Sequence, residues 1–209
     1  MVFTYKMWGQ KVKGIRKPNL IMIHTGHLAV ERGCRYYDVE LRLIPLKNYK
    51  VDLQDVISQI DQNTVAIMGT LNCYSYGTID PIPQLAKIAK AHGIGCHVDA
   101  CMGGFIIPFV KEAMGKEGEE IPKFGFDVEG VTTISIDTHK YAFCPKGMSV
   151  LLYKTKELEN CIHFEQQWEG GFYLAQSTSS FVSGPIITGT YAGIASLGWQ
   201  YYVNTAREI

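Results

Sequence analysis

Six short runs rich in branched residues, separated by stretches of helical character, limit what this chain can build. The runs cover residues 20–24, 39–44, 65–70, 95–99, 132–136 and 149–153. Helical patterns between them are clearest at residues 53–60 and 84–92. In the second, Leu85, Ile88 and Ala89 recur on one helix face. Pro81 and Pro83 precede that helix and Gly93 and Gly95 follow it, as start and stop signals do. Strands alternating with helices need crossover connections, which predict an α/β fold with a mostly parallel sheet flanked by helices. Residues 186–207 read as a further helix, with Tyr191, Ile194, Ala195, Leu197 and Gly198 on its apolar side. Residues 111–123 mix Lys, Glu and Gly and read as a solvated surface excursion, and the aromatics around Trp168 and Tyr173 read as core or interface packing.

Charge narrows the partners. Twenty Lys and Arg balance twenty Asp and Glu, so no broad positive field draws a polyanion and nucleic acid is not an expected partner. No apolar run approaches the roughly 20 residues that cross a bilayer, and residues 1–12 lack the layout of a secretory signal. The chain reads as soluble. Six cysteines, none in a C-x-x-C pair, sit mostly in apolar runs and read as free thiols in a reducing compartment.

Two segments carry chemistry. The first is Cys96-His97-Val98-Asp99-Ala100-Cys101-Met102-Gly103-Gly104-Phe105. An acid ending a buried strand lies where active sites of open α/β sheets gather, and strand alternation puts His97, Asp99 and Cys101 on one side. A zinc site built from these three is an alternative, but no further clustered His or Cys completes four ligands. A plain capping role for Asp99 is another. The second segment is Ser135-Ile136-Asp137-Thr138-His139-Lys140-Tyr141, closing with Cys144-Pro145-Lys146-Gly147. A lone lysine is ordinarily a solvated charge. After a buried strand, however, desolvation is expected to lower the pKa of Lys140 and expose a nucleophilic amine suited to Schiff-base chemistry.

Together these two motifs resemble the group II decarboxylase family of fold-type I enzymes that use pyridoxal 5′-phosphate. Within that family they resemble the lyases of phosphorylated sphingoid bases. Gly77-Thr78-Ile79-Asp80-Pro81, the run 130–135 and Trp168-Glu169-Gly170-Gly171-Phe172-Tyr173 extend the likeness along essentially the whole chain. The resemblance implies that Lys140 forms the Schiff base and that Asp99 pairs with the pyridinium nitrogen. It also implies that His27 stacks on the ring, His139 approaches the phosphate, and Cys101 lies close to the ring. Lys146 matches a lysine near the site. No resident metal is expected. The implied reaction is retro-aldol carbon–carbon cleavage of a phosphorylated long-chain base into a long-chain aldehyde and phosphoethanolamine, by a homodimer. The alternatives are an amino-acid decarboxylase of the same family, or a non-catalytic remnant acting through subunit pairing. The expected location is the cytoplasm, or the cytosolic face of the endoplasmic reticulum if a longer parent carries a membrane anchor.

Against the family pattern, residues 1–209 are expected to be the central part of the cofactor-binding large domain, truncated at both ends. A Gly-rich phosphate loop would precede Met1 and a small C-terminal domain would follow Ile209. Val182 stands where the family carries an arginine for phosphate binding, and Ser75-Tyr76 where the lyases carry Pro-His. Residues 177–184 are where a neighbouring subunit is expected to contribute.

Overall fold

The computed structural model describes residues 1–176 and 182–209, so most of the expected subunit-contact segment, residues 177–181, lies outside the described residues. Helix α1 (Val2–Lys11) leads into β1 (Asn19–Ile23), α2 (Leu28–Tyr36) and β2 (Glu40–Ile44). A small ribbon, β3 (Leu46–Lys47) with β4 (Lys50–Val51), and α3 (Leu53–Ser58) lead to β5 (Thr64–Thr70). Next come α4 (Ile82–Ala91), β6 (Gly95–Asp99), α5 (Gly103–Met114) and β7 (Thr133–Asp137). Strand β8 (Ser149–Tyr153), α6 (Lys156–Asn160), the hairpin β9 (Phe164–Trp168) and β10 (Gly171–Ala175), and α7 (Gly184–Glu208) complete the order.

The six runs read from sequence become one six-stranded sheet in the order β2-β1-β5-β6-β7-β8. Its first four pairings are parallel and β7–β8 is antiparallel. Strands β1, β5 and β6 are buried at every residue. Their continuous apolar runs reflect burial on both faces. Alternate residues divide between two cores: Ile21, Ile23, Ile67 and Val98 pack toward α4 and α5, while Leu20, Met22, Ala66 and Met68 pack toward Val2 and Tyr5 of α1.

Gly95 opens β6 directly against the buried ring of Tyr5. A β-carbon there would lie 2.2 Å from Tyr5 Cε1, so the ring occupies the space that any side chain would need. Gly95→Ala is therefore expected to destabilise the fold by about 1–3 kcal/mol, the usual cost of overpacking. Urea denaturation measures it, and unchanged stability would contradict the packing described.

Three local expectations need correction. Residues 111–123 are not wholly a surface excursion: α5 runs to Met114 and a 3-10 turn spans Glu117–Glu120. The helix was hidden by Pro108 inside it and by Gly103-Gly104 at its start, which lets it approach Ala100 and Ile136 closely. Helix α7 buries Thr190, Tyr202, Val203 and Ala206 and exposes Tyr191, which lies one position off the buried side at Thr190, and a kink at Gly198 (φ 71°) interrupts it. Trp168, Phe172 and Tyr173 lie on the β9–β10 hairpin with substantial exposure, so they are not core.

Candidate active site

At the centre of the sheet, β1 pairs with β2 on one side and β5 on the other, so the crossovers turn in opposite directions there. Open sheets place binding crevices outside the carboxyl ends of strands at such a point. A cleft of about 760 Å³ opens there, lined by Thr25, Gly26 and His27 after β1 and by Asn72, Tyr74 and Ser75 after β5. A second cleft, of about 790 Å³, lies against the first turn of α1, with Met1, Val2, Phe3, Ser149 and Leu151 among its walls. His27, Asp99, Cys101 and Lys140 line both, while His139 and Lys146 line the first.

Backbone geometry holds each group. Asp80, buried beneath the switch point, accepts from Thr25 Oγ1 at 2.6 Å and from the Thr70 amide at 2.7 Å, tying the ends of β1 and β5 together. Burial raises its pKa against the lowering effect of these two bonds. His27 is the N-cap of α2: its Nδ1 accepts from the Ala29 amide at 3.1 Å. That bond leaves the Nε2–H tautomer and fixes the ring at the cleft wall. Asp99 ends β6, and its Oδ1 accepts from the Cys101 amide at 3.1 Å and from Ser135 Oγ at 3.4 Å.

Lys140 sits in the turn after β7, where its amide reaches back to the Asp137 carbonyl at 3.3 Å. This turn brings Lys140 Nζ to 2.9 Å from Asp137 Oδ2. Asp137 also accepts from Ser149 Oγ at 2.5 Å, and His139 Nε2 lies 3.8 Å away. The Nδ1 of His139 faces the Met148 carbonyl at 3.1 Å. The expectation of a lowered Lys140 pKa is wrong for this state. Burial does pull it down, but hydrogen bonds with Cys101 and Asp137 outweigh that and leave it raised. Lys140 is held here as an ammonium by its ion pair with Asp137. Burial, with Asp99 nearby, pushes the Cys101 thiol up to about 12, so it stays protonated between Asp99 and Lys140.

His97 borders the cleft against α1 together with Asp99 and Cys101, but its ring nitrogens are taken up by hydroxyls. It is fully buried, its Nδ1 lies 2.8 Å from Thr133 Oγ1 and its Nε2 3.2 Å from Ser135 Oγ. Burial lowers its pKa to about 3, which keeps it neutral. Among the described residues no group of three His, Cys, Asp or Glu is placed to hold a metal ion.

This donor set fits a pyridoxal phosphate. A primary amine and a buried carboxylate face one space, an imidazole borders it, and the N-terminal turn of α1, which has no side-chain cap, opens onto the same cleft. Uncapped amides at a helix start suit a phosphate. Sequence reasoning gave Asp137 and Asp80 no role. The i, i+3 spacing of Asp137 to Lys140 after a strand end was the one available signal for the first.

Comparison with known proteins agrees with the geometry. The pyridoxal-dependent decarboxylase conserved domain matches residues 4–184. A sphingosine-1-phosphate lyase from Arabidopsis thaliana is 36% identical over 199 residues, which are 94% of this chain and 36% of that protein. A probable L-tyrosine/L-aspartate decarboxylase from Methanospirillum hungatei is 33% identical over 150 residues, covering 71% of this chain and 38% of that protein. The solved structure of a Burkholderia pseudomallei sphingosine-1-phosphate lyase superposes with a TM-score of 0.93 at 34% identity, over 99% of this chain and 47% of that one. The chain thus spans less than half the length of each of these relatives. No helix among the described residues is long and apolar enough to cross a membrane. A domain match over most of the chain, on a fold that gathers a lysine, an acid and a capping histidine at one crevice, places this chain in the pyridoxal-dependent decarboxylase family.

Proposed function

We propose that this chain forms the cofactor- and substrate-binding part of the large domain of a lyase that cleaves a phosphorylated long-chain base into a long-chain aldehyde and phosphoethanolamine. The observation that carries the reading is the meeting of two clefts at Lys140, Asp99, His27 and Cys101. When bound, pyridoxal phosphate supplies an electron sink for the pair released as the bond beside the substrate nitrogen breaks.

The residues divide the remaining work. Lys140 Nζ is the amine that carries the cofactor, and Asp137 Oδ2, 2.9 Å away, holds it at the cleft. Asp99 holds the ring nitrogen by a charge-assisted bond, with its own carboxylate fixed by the Cys101 amide and Ser135. His27, immobilised by its capping bond, covers a ring face. His139, on the cleft at the switch point, approaches the phosphate. Lys146, on the cleft at the switch point, offers a cation to the substrate phosphate. Phe164, Trp168 and Phe172, exposed on the hairpin, support the further reading that two copies pair. The working protein is a homodimer in the cytosol, or on the cytosolic face of the endoplasmic reticulum where the whole protein carries an anchor.

A second reading, decarboxylation of an amino acid, draws on the likeness to the Methanospirillum decarboxylase. One assay separates the two. Full-length protein loaded with pyridoxal phosphate is given a phosphorylated sphingoid base, L-tyrosine or L-aspartate. Long-chain aldehyde from the first supports the lyase; carbon dioxide from the others without aldehyde supports the decarboxylase.

A further inference from the structure

Behind Asp99 lies a chain of polar groups that the proposed reaction does not use. Parallel pairing of β6 with β7 sets His97 opposite Thr133 and Asp99 opposite Ser135. Alternation therefore points all four side chains to the same face of the sheet. Tyr5 of α1 reaches this row because Gly95 leaves room for its ring, and its hydroxyl lies 2.8 Å from Thr133 Oγ1 and 2.7 Å from Thr132 Oγ1. The result is a continuous line: Thr132, Tyr5, Thr133, His97, Ser135, Asp99.

Each hydroxyl in the line has one proton, and a neutral imidazole has one N–H. The protons must therefore run in one direction or the other. Running outward, Ser135 donates to His97 Nε2, His97 Nδ1–H donates to Thr133, and the last proton goes from Thr132 to the Cys96 carbonyl at 3.0 Å. That arrangement would leave Ser135 lone pairs facing a carboxylate. Running inward, Thr132 keeps its bond to the Cys96 carbonyl while Tyr5 donates to Thr133 and Thr133 to His97 Nδ1. His97 Nε2–H then donates to Ser135 and Ser135 to Asp99, so the line ends on an anion, where a hydrogen bond is roughly twice as strong as between neutral groups.

We infer that His97 is a positioning residue for Asp99: as its Nε2–H tautomer it donates to Ser135 Oγ and so turns the Ser135 hydroxyl proton onto the Asp99 carboxylate. The Asp99 side chain is thereby held in orientation toward the cofactor ring. The inference rests on Asp99 facing the ring nitrogen. It adds that the ring's protonation depends on a histidine that acts through Ser135.

The test uses full-length protein with 15N-labelled histidine, loaded with pyridoxal phosphate carrying 15N at the ring nitrogen. The wild-type spectrum should show His97 as the neutral Nε2–H tautomer. Ser135→Ala and His97→Asn, whose amide reaches only the Nδ1 position, should move the ring-nitrogen signal toward unprotonated pyridine. Both should lower kcat roughly ten- to hundredfold with KM little changed, the weight of one bond to a charged group. His97→Gln, which places an N–H near Nε2, should restore most of both. The double variant His97→Asn/Ser135→Ala should be no worse than Ser135→Ala alone, because the two act in series. An Nδ1–H tautomer, an unmoved ring signal in Ser135→Ala, or additive losses in the double variant would overturn the inference. If Ser135→Ala leaves the ring signal unmoved while Asp99→Asn moves it, only the relay fails. If Asp99→Asn also leaves it unmoved, the placement of Asp99 falls as well.

Discussion

Lys140→Ala should lower turnover of the full-length protein on the order of 10⁴-fold, the upper end for a positioned acid–base group. The expected size follows from geometry. Lys140 Nζ lies on both clefts and bonds Asp137 at 2.9 Å, so the wild-type amine is already in place for the cofactor aldehyde. Positioned groups act at effective molarities of about 10⁵ M or more, which free amines at ~0.1 M cannot supply. Added methylamine should therefore recover only a small part of the rate. The fold should survive, since Asp137 keeps its 2.5 Å bond from Ser149 and Lys140 lies in a surface turn. Circular dichroism checks the fold while steady-state kinetics check the loss. A folded variant retaining near-normal turnover would remove Lys140 from the mechanism.

Asp99→Asn should separate binding from chemistry. The amide is nearly isosteric and its oxygen can keep the bonds from the Cys101 amide and Ser135, at 3.1 and 3.4 Å in the native arrangement. What it lacks is the charge that holds the ring nitrogen protonated. Removing one preorganised electrostatic partner costs roughly 10²–10³-fold in kcat. Cofactor should still attach to Lys140 with its usual absorbance, while product release slows by that factor. Near-normal turnover would mean that Asp99 does not serve the ring.

Much of the fold was legible because the central strands are buried on both faces. Residues 65–70 form a short apolar run and residues 95–99 alternate Cys96 and Val98 with His97 and Asp99 at the period of a strand, and turn residues bound both. Helix α5 was not legible, since Pro108 and a glycine pair erase the usual signals while tertiary packing against α7 and β7 sustains the helix. The site divided in the same way. Asp99 and Lys140 were candidates because one closes a readable strand and the other follows one in the next turn, and the fold brings both to one cleft. The Asp137–Lys140 contact reversed the expected direction of the lysine's pKa, because burial was foreseeable from the strand and the partner's position was not. The line from Tyr5 to Asp99 depends on the register of β6 against β7 and on α1, some 90 residues away in sequence, so no local pattern contains it.

The central claim is that Lys140 holds the cofactor over Asp99. Its most direct test is to load the full-length protein with pyridoxal phosphate, reduce it with borohydride and map the labelled peptide by mass spectrometry. The account predicts label on the peptide containing His139-Lys140-Tyr141. Label found chiefly on Lys146 or Lys154 would contradict it.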